Sequence, residues 1–411
     1  GLVEAHGTGT VVGDRTELTT LTEMFGEAGA ARGSATVGSV KSNIGHTKCA
    51  AGLAGLIKVA NAVYRGVRPP TLHVQDPNAA YDPETSPFRI DSSAVPWVDE
   101  SRVGGVSAFG FGGTNFHAVI AAYDGDPGPQ HGLEVWPAEL FLFRGADRDA
   151  VTTSVERLVA WLDAANACGA DVVLRDLAAA VSTAGSGAVQ VAVVAESVAD
   201  LRSKLPAAGS FTPERGGVYV AEAIEADRPA NAAGSLAFVF PGQGSQRPGM
   251  LAELFVAFPA LQSHLRAGAR WLDRLYPPST FTREERAAQV AAITDTRVAQ
   301  PVLGMAGLAM ADLLGSLGVR PHTAAGHSYG ELVALAAAGV LDERDLLDLS
   351  EARGEAILAA AGDDPGTMAA VSAAPHDVDA VLVATPGAAG VVVANRNSPS
   401  QSVISGPTAA I

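Results

Sequence analysis

The run Gly326-His327-Ser328-Tyr329-Gly330 constrains this chain more than any other stretch. A G-x-S-x-G pattern with small residues before it (Thr323, Ala324, Ala325) and a helical run behind it (Glu331 to Gly339) reads as a sharp strand-to-helix turn. Such a turn holds one serine hydroxyl at a strand end. It also sets a helix N-terminus where it favours developing negative charge. A small Gly/Ser turn inside a core is the plain alternative, so other residues must decide.

At 411 residues the chain exceeds one ordinary domain, and two or three are expected. Apolar residues make up 47% and charged residues 18%, enough for sizeable cores. Lys plus Arg number 28 against 44 Asp plus Glu, a net charge of −16. That balance speaks against nucleic acid or an anionic membrane as partner, because phosphate contacts need clustered cations. Two cysteines, Cys49 and Cys168, exclude a disulfide framework and a Cys-rich metal site. The most apolar stretch, Ala50 to Tyr64, carries Lys58 and Asn61, so no membrane span is expected. With no signal-peptide pattern, a cytoplasmic location is the expectation. The start on a motif at Gly1 and the end at Ile411, after strand-like Ser402 to Ser405, read as cuts through folded domains.

Three dense motifs lie within residues 1–121: Val3 to Thr10 with Gly13-Asp14, Gly38 to His46, and Gly105 to His117. His6 and His46 each sit beside glycine in a turn after an apolar strand. Two such imidazoles can bind and polarise a carbonyl at neutral pH. Metal binding is the competing reading, and it lacks a third ligand at useful spacing. Cys49 is expected to pack in a buried helix, His117 to be structural, and His73 and His131 to lie in loops.

The middle reads as a loop over 123–131, then a compact α/β unit without a catalytic constellation. A strand is expected at 138–143, with Leu140 and Leu142 on one face and Phe141 and Phe143 on the other. A helix capped by Asp147 or Asp149 follows, with apolar positions Val151, Val155, Leu158, Val159 and Leu162. Further elements are expected at 171–181, 189–195, 198–205 and 217–221. Cys168 is expected to be inert.

In the last segment an apolar strand, Ser235 to Phe240, ends in Pro241-Gly242-Gln243-Gly244-Ser245-Gln246. Its glycines allow a sharp turn that leaves amides free for a ligand. A capped helix from Arg283, a helix from Thr296 through Leu317 and a strand then lead to Ser328. Two glycine-rich strand ends, each followed by helix, are what a nucleophile and an oxyanion hole require. The donors would be the amide of Tyr329 and a group of Gln243. The serine also needs a base. His327 points away in an elbow, His322 is bland, and His376 opens a helix.

The first three motifs resemble the C-terminal half of a β-ketoacyl synthase. The stretch from about 236 to 411 resembles the malonyl-type acyltransferase of polyketide and fatty-acid synthases. The middle resembles the linker domain that joins the two. The resemblance implies an α/β chain in three parts. These are residues 1–121, half of a thiolase-like sandwich; 122–234, a small α/β linker domain; and 235–411, an acyltransferase. The acyltransferase would have an α/β-hydrolase-like large subdomain and the start of a ferredoxin-like small one, at Thr367 to Ser372 and Gly390 to Ser405.

It also implies roles. His6 and His46 would assist decarboxylation of a malonyl thioester and stabilise the enolate, with Lys41 in electrostatic support. Ser328 would accept the acyl group, and Gln243 and Tyr329 would form the oxyanion hole. Gln300, His327 and Asn395 would contact substrate, and Arg353 would grip the malonyl carboxylate bidentately. The family's condensing cysteine would precede Gly1 and its acyltransferase histidine would follow Ile411, so this stretch alone is not expected to complete either reaction. The substrates implied are malonyl-CoA and a phosphopantetheinylated acyl carrier protein. No bound cofactor or metal is implied, and a homodimer through the ketosynthase is. Within the type I polyketide synthases, the wording of the motifs is most similar to iterative enediyne and polyunsaturated-chain enzymes. A serine hydrolase or thioesterase using Ser328, and a catalytically incomplete scaffold, are the alternatives.

Overall fold

The computed structural model describes residues 1–123, 125, 136–221, 235–361, 364 and 366–411. The expected loop over 123–131 therefore lies almost wholly outside the described residues, as does His131. Contacts divide the chain into two compact units, 1–132 with 236–411, and 133–235.

In the first unit β1 (Leu2–Glu4), α1 (Val11–Glu27), β2 (Ala35–Gly38), α2 (Lys41–Ile44), α3 (Ala51–Arg65) and β3 (Val67–Arg68) come first. Next are β4 (Phe88–Arg89), β5 (Val95–Pro96), β6 (Val103–Phe109) and β7 (Asn115–Ala121). The main sheet runs β4-β2-β1-β6-β7, parallel except for the β6–β7 hairpin. Leu2 and Val3 are buried on opposite faces of β1, as a strand covered on both sides requires. Cys49 departs from expectation. It lies in a 3-10 turn, Lys48–Ala50, and is exposed, because the buried stripe of α3 starts only at Ala51.

The second unit is the antiparallel sheet β8 (Glu139–Gly145), β9 (Ala188–Ala195) and β10 (Val218–Val220), in order β10-β9-β8. It packs with α4 (Arg148–Ala167), α5 (Leu174–Ala184) and α6 (Val198–Gly209). The strand alternation holds, with Phe141 and Phe143 buried among Val191, Val193 and Leu201. Asp147 caps α4 by accepting from the Ala150 amide at 2.8 Å. Val159 leaves the expected stripe and faces solvent; Ala165, a turn past Leu162, joins the core instead. Cys168 is exposed.

The first unit resumes with β11 (Ala237–Phe240), α7 (Ala252–Ala257), α8 (Gln262–Ala267), α9 (Leu272–Leu275) and α10 (Arg283–Thr294). The series continues with α11 (Thr296–Ser316), β12 (Thr323–Gly326), α12 (Gly330–Ala337) and α13 (Glu343–Ala361). β11 and β12 pair in parallel, in register from Ala237 opposite Thr323 to Phe240 opposite Gly326. Thr282 and Glu285 close a reciprocal capping box on α10. By length and composition α11, unlike the Ala50 to Tyr64 stretch, is apolar enough to span a bilayer. Half of its apolar window is buried inside the fold. The chain ends with β13 (Thr367–Val371), α14 (Pro375–Ala384), β14 (Val392–Ser398) and β15 (Gln401–Gly406), whose antiparallel sheet runs β13-β15-β14.

The two ends of the chain share one core. Val95 of β5 packs with Phe255, Leu261 and Trp271. The buried Arg89 guanidinium pairs with Asp91 and donates to the Tyr276 carbonyl at 2.8 Å. The Ser279 amide donates to the Ile90 carbonyl at 2.9 Å.

His264 of α8 is 6% exposed and sits between two carboxylates. Its Nδ1 lies 2.6 Å from Glu343 Oε1 at the start of α13, and its Nε2 lies 3.1 Å from Asp312 Oδ2 of α11. Only the imidazolium can donate at both nitrogens. Burial opposes that charge, but the Glu343 bond and charge, helped by Asp312, outweigh it and raise the pKa. A raised pKa contributes stability that is fully present below the ordinary histidine value of about 6.5 and is lost as pH rises through the folded value. His264→Gln should therefore lower the melting temperature most at about pH 6 and least at about pH 9. A wild-type-minus-variant difference that stays constant across that range would remove the charged clamp.

Candidate active site

Ser328 stands where β12 stops and α12 begins, with φ +54°, left-handed backbone that a serine adopts only under constraint. The constraint is steric. A Cβ on Gly326 would overlap the Gly330 backbone, and a Cβ on Gly330 would overlap the Phe240 carbonyl. The His327 amide donates to that same carbonyl at 3.0 Å, drawing the elbow onto the end of β11. Gly242, two residues beyond β11, backs onto the elbow. A Cβ there would stand 2.6 Å from the His327 carbonyl oxygen and 3.3 Å from Ser328 Cβ.

The amides of Gln243 and Tyr329 flank this contact, and neither donates to an acceptor among the described residues. The side chain of Gln243 is already occupied: its Nε2 donates to the Thr294 carbonyl at 3.3 Å, and its Oε1 accepts from the Thr296 hydroxyl at 2.9 Å. That leaves the Gln243 backbone N–H as the donor available to a ligand. Thr296 in turn accepts from Gln300 Nε2 at 2.6 Å. Gln300 is fully buried and reaches Gln243 through Thr296, where the resemblance implied direct contact with substrate. Thr296 itself was not foreseen; its position four residues before Gln300, at a helix start, is the signal that was available.

Arg353 lies on α13, half-buried, with no ion-pair partner among the described residues. Elsewhere, Glu351 pairs with Arg270 at 2.8 Å and Asp295 with Arg297 at 2.6 Å. Gly354 brings α13 against the start of α11; a Cβ there would stand 3.0 Å from Arg297 Cα. His327 is exposed and its Nε2 lies 3.2 Å from Asn397 Oδ1 on β14. Asn395, singled out from sequence, pairs opposite Val403 instead, and Asn397 is the residue that reaches the elbow. Irregular pairing of β14 with β15 on both sides of Asn395–Arg396 breaks the simple alternation that would tell the two apart. His376 is exposed and pairs with its neighbour Asp377 at 3.2 Å. His322 Nδ1 accepts from the Leu236 amide at 3.1 Å.

At the other end of the chain the His6 and His46 rings meet edge to face, centroids 5.8 Å apart. His6 Nδ1 accepts from the Phe109 amide at 3.3 Å, and His46 Nδ1 accepts from the Lys48 amide at 3.2 Å. Each bond puts the neutral ring's proton on Nε2, so the pair offers two N–H donors. Burial, with the nearby Lys41 charge, lowers the His6 pKa and keeps that ring neutral. Glu17 accepts from the His6 and Gly7 amides at 2.7 and 2.9 Å and fixes the turn. Burial likewise lowers the Lys41 pKa. Lys41 lines a cavity of about 560 Å³ with Asp14, Glu17 and Tyr81, and neither imidazole lines it. His117 Nδ1 lies 3.0 Å from the Ser107 hydroxyl, a structural contact.

Comparison with known proteins decides the family. Residues 1–75 match the β-ketoacyl synthase C-terminal domain, and residues 237–411 match the acyl transferase domain. Polyketide synthase GfsA of Streptomyces halstedii is 38% identical over 365 residues, which is 88% of this chain and 5% of that protein. The phenolphthiocerol synthesis polyketide synthase type I Pks15/1 of Mycobacterium marinum is 35% identical over 431 residues, 100% of this chain and 19% of that protein. The chain is a type I polyketide synthase segment. It spans between 5% and 19% of the length of these two relatives. In fold, this polyketide synthase segment is similar to the acyl transferase domain of ZmaA, with a TM-score of 0.50 at 21% identity over 67% of this chain and 61% of that one. The two matched domains bracket the second compact unit, and they contain all ten candidate residues read from the sequence.

Proposed function

We propose that the acyltransferase part takes a malonyl group from malonyl-CoA onto Ser328 and passes it to the phosphopantetheine thiol of an acyl carrier protein. Ser328 Oγ attacks the thioester carbonyl, the hydroxyl proton goes to a base, and the carbonyl oxygen becomes an oxyanion held by the Gln243 and Tyr329 amides. The C–S bond then breaks and the CoA thiol leaves with a proton. Attack by the carrier thiol reverses the sequence.

The observation that carries the malonyl reading is Arg353, a half-buried guanidinium without an ion-pair partner among the described residues, on a helix packed beside the elbow. A planar fork of donors is suited to a free carboxylate. In the ketosynthase part, the Nε2–H groups of His6 and His46 would hold the thioester oxygen while malonyl loses carbon dioxide, with Lys41 adding positive charge. Residues 122–234 would act as the linker domain between the two parts, the ketosynthase would form a homodimer, and the enzyme would work in the cytoplasm.

Incubating the full-length polypeptide with malonyl-CoA and mapping mass shifts tests this reading. A malonyl adduct on the Ser328 peptide, lost in Ser328→Ala and discharged by a holo carrier protein, is the expected result. Discharge to water alone would support the hydrolase reading. No adduct, or equal labelling by acetyl-CoA, would overturn malonyl transfer.

A further inference from the structure

Tyr329 has a side chain as well as an amide, and the chemistry above uses only the amide. The ring is fully buried among Phe240, Leu303, Val333 and Leu346. Gly304 of α11 leaves room for its hydroxyl, since a Cβ there would stand 2.6 Å from that oxygen. The hydroxyl lies 2.7 Å from Oγ of Ser350, a polar residue equally buried in α13. Ser350 uses its one hydroxyl hydrogen on the Leu346 carbonyl, a turn back along the helix, at 2.6 Å. The hydrogen between the two side chains must therefore come from Tyr329, which donates to Ser350.

Ser350 stands one turn before Arg353. The bond thus runs from the residue next to the nucleophile to the helix turn that leads into the guanidinium. Burial raises the phenol pKa, while the Ser350 bond and the Arg353 charge pull it down, so Arg353 lies within electrostatic reach of the same hydroxyl. The other tie near Arg353, the Arg270–Glu351 pair, is exposed and therefore weak. Close packing at Gly354 sets how near α13 comes to α11. The side-chain hydrogen bond to Tyr329 adds the directional link to the elbow.

We infer that the Tyr329–Ser350 hydrogen bond is a positioning clamp that holds Arg353 in register with Ser328 and so sets the preference for a carboxylated acyl thioester over a plain one. The inference rests on the function proposed above and extends it to two side chains that touch no substrate. A forked, charge-assisted contact tolerates little angular error, and a displacement of about 1 Å in a positioned group can cost on the order of a hundredfold. An acetyl group has no carboxylate for Arg353, so slippage of α13 falls mainly on malonyl. Loss of stability alone would lower both substrates together.

The test compares malonyl-CoA and acetyl-CoA loading of Ser328 by peptide mass in the full-length polypeptide, for wild type, Ser350→Ala and Tyr329→Phe. Each variant should lower the malonyl-to-acetyl ratio of kcat/KM by about tenfold or more, chiefly through a higher KM for malonyl-CoA. Gly304→Ala should do the same while Tyr329 is present and should cost less beside Tyr329→Phe, which has no hydroxyl to displace. An unchanged ratio in a Ser350→Ala protein that melts like wild type would overturn the clamp and leave malonyl transfer standing. Should Ser350→Ala fail to fold, Tyr329→Phe carries the same comparison, because Ser350 keeps its own bond to Leu346. Absence of any malonyl adduct in the wild type would overturn the proposed function, and the clamp with it.

Discussion

Gly330→Ala should destabilise the first unit by about 4 kcal/mol or more and abolish loading of Ser328. The added methyl has no room. It would overlap the Phe240 carbonyl oxygen and stand 2.8 Å from both the Phe240 carbonyl carbon and the Pro241 oxygen, all of them backbone atoms. No rotamer change relieves a clash between one backbone and another. Relief requires β11 and the elbow to part, and that breaks the 3.0 Å bond from the His327 amide to Phe240 and moves the Gln243 amide away from Ser328. Gly315, near the end of α11, is the control. A Cβ there meets nothing within 4 Å, so Gly315→Ala should be neutral or stabilising by about 0.5–1 kcal/mol. Thermal unfolding reads both. A drop of roughly 10 °C for Gly330→Ala beside no loss for Gly315→Ala is the expected pair. Equal melting temperatures with intact loading would mean that the elbow does not depend on close approach.

The elbow was legible because it is local. Two glycines, one serine and the small residues ahead of them specify a strand-to-helix turn within nine positions. The alternation of Phe141 and Phe143 against Leu140 and Leu142, a cap at Asp147 or Asp149 and the helix start at Arg283 were legible for the same reason. What was not legible depends on partners far along the chain. The Arg89 guanidinium finds the Tyr276 carbonyl across 187 residues, and no periodicity announces that pairing. His264 meets carboxylates 48 and 79 residues away, and Tyr329 meets Ser350 across 21. Each of these side chains looks ordinary in its own stretch of sequence.

Arg353 lies between these cases, and its removal should produce the largest change in substrate choice. The family resemblance marked it, but only the fold shows a half-buried guanidinium with no ion-pair partner among the described residues. Charge-assisted hydrogen bonds contribute about 1.5–3 kcal/mol each in net terms, so losing a bidentate pair should cost roughly 3 kcal/mol. Arg353→Ala should then lower kcat/KM for malonyl-CoA about a hundredfold, while acetyl-CoA loses much less. Arg353→Lys separates charge from geometry. An ammonium keeps the attraction but not the planar fork, so its malonyl preference should fall between the other two. Lysine matching arginine would mean that charge alone selects the substrate. Alanine matching arginine would mean that the carboxylate is held elsewhere. The intermediate value follows from a rigid α13, because a fork is worth more than a point charge only while its two N–H bonds stay aimed at one carboxylate.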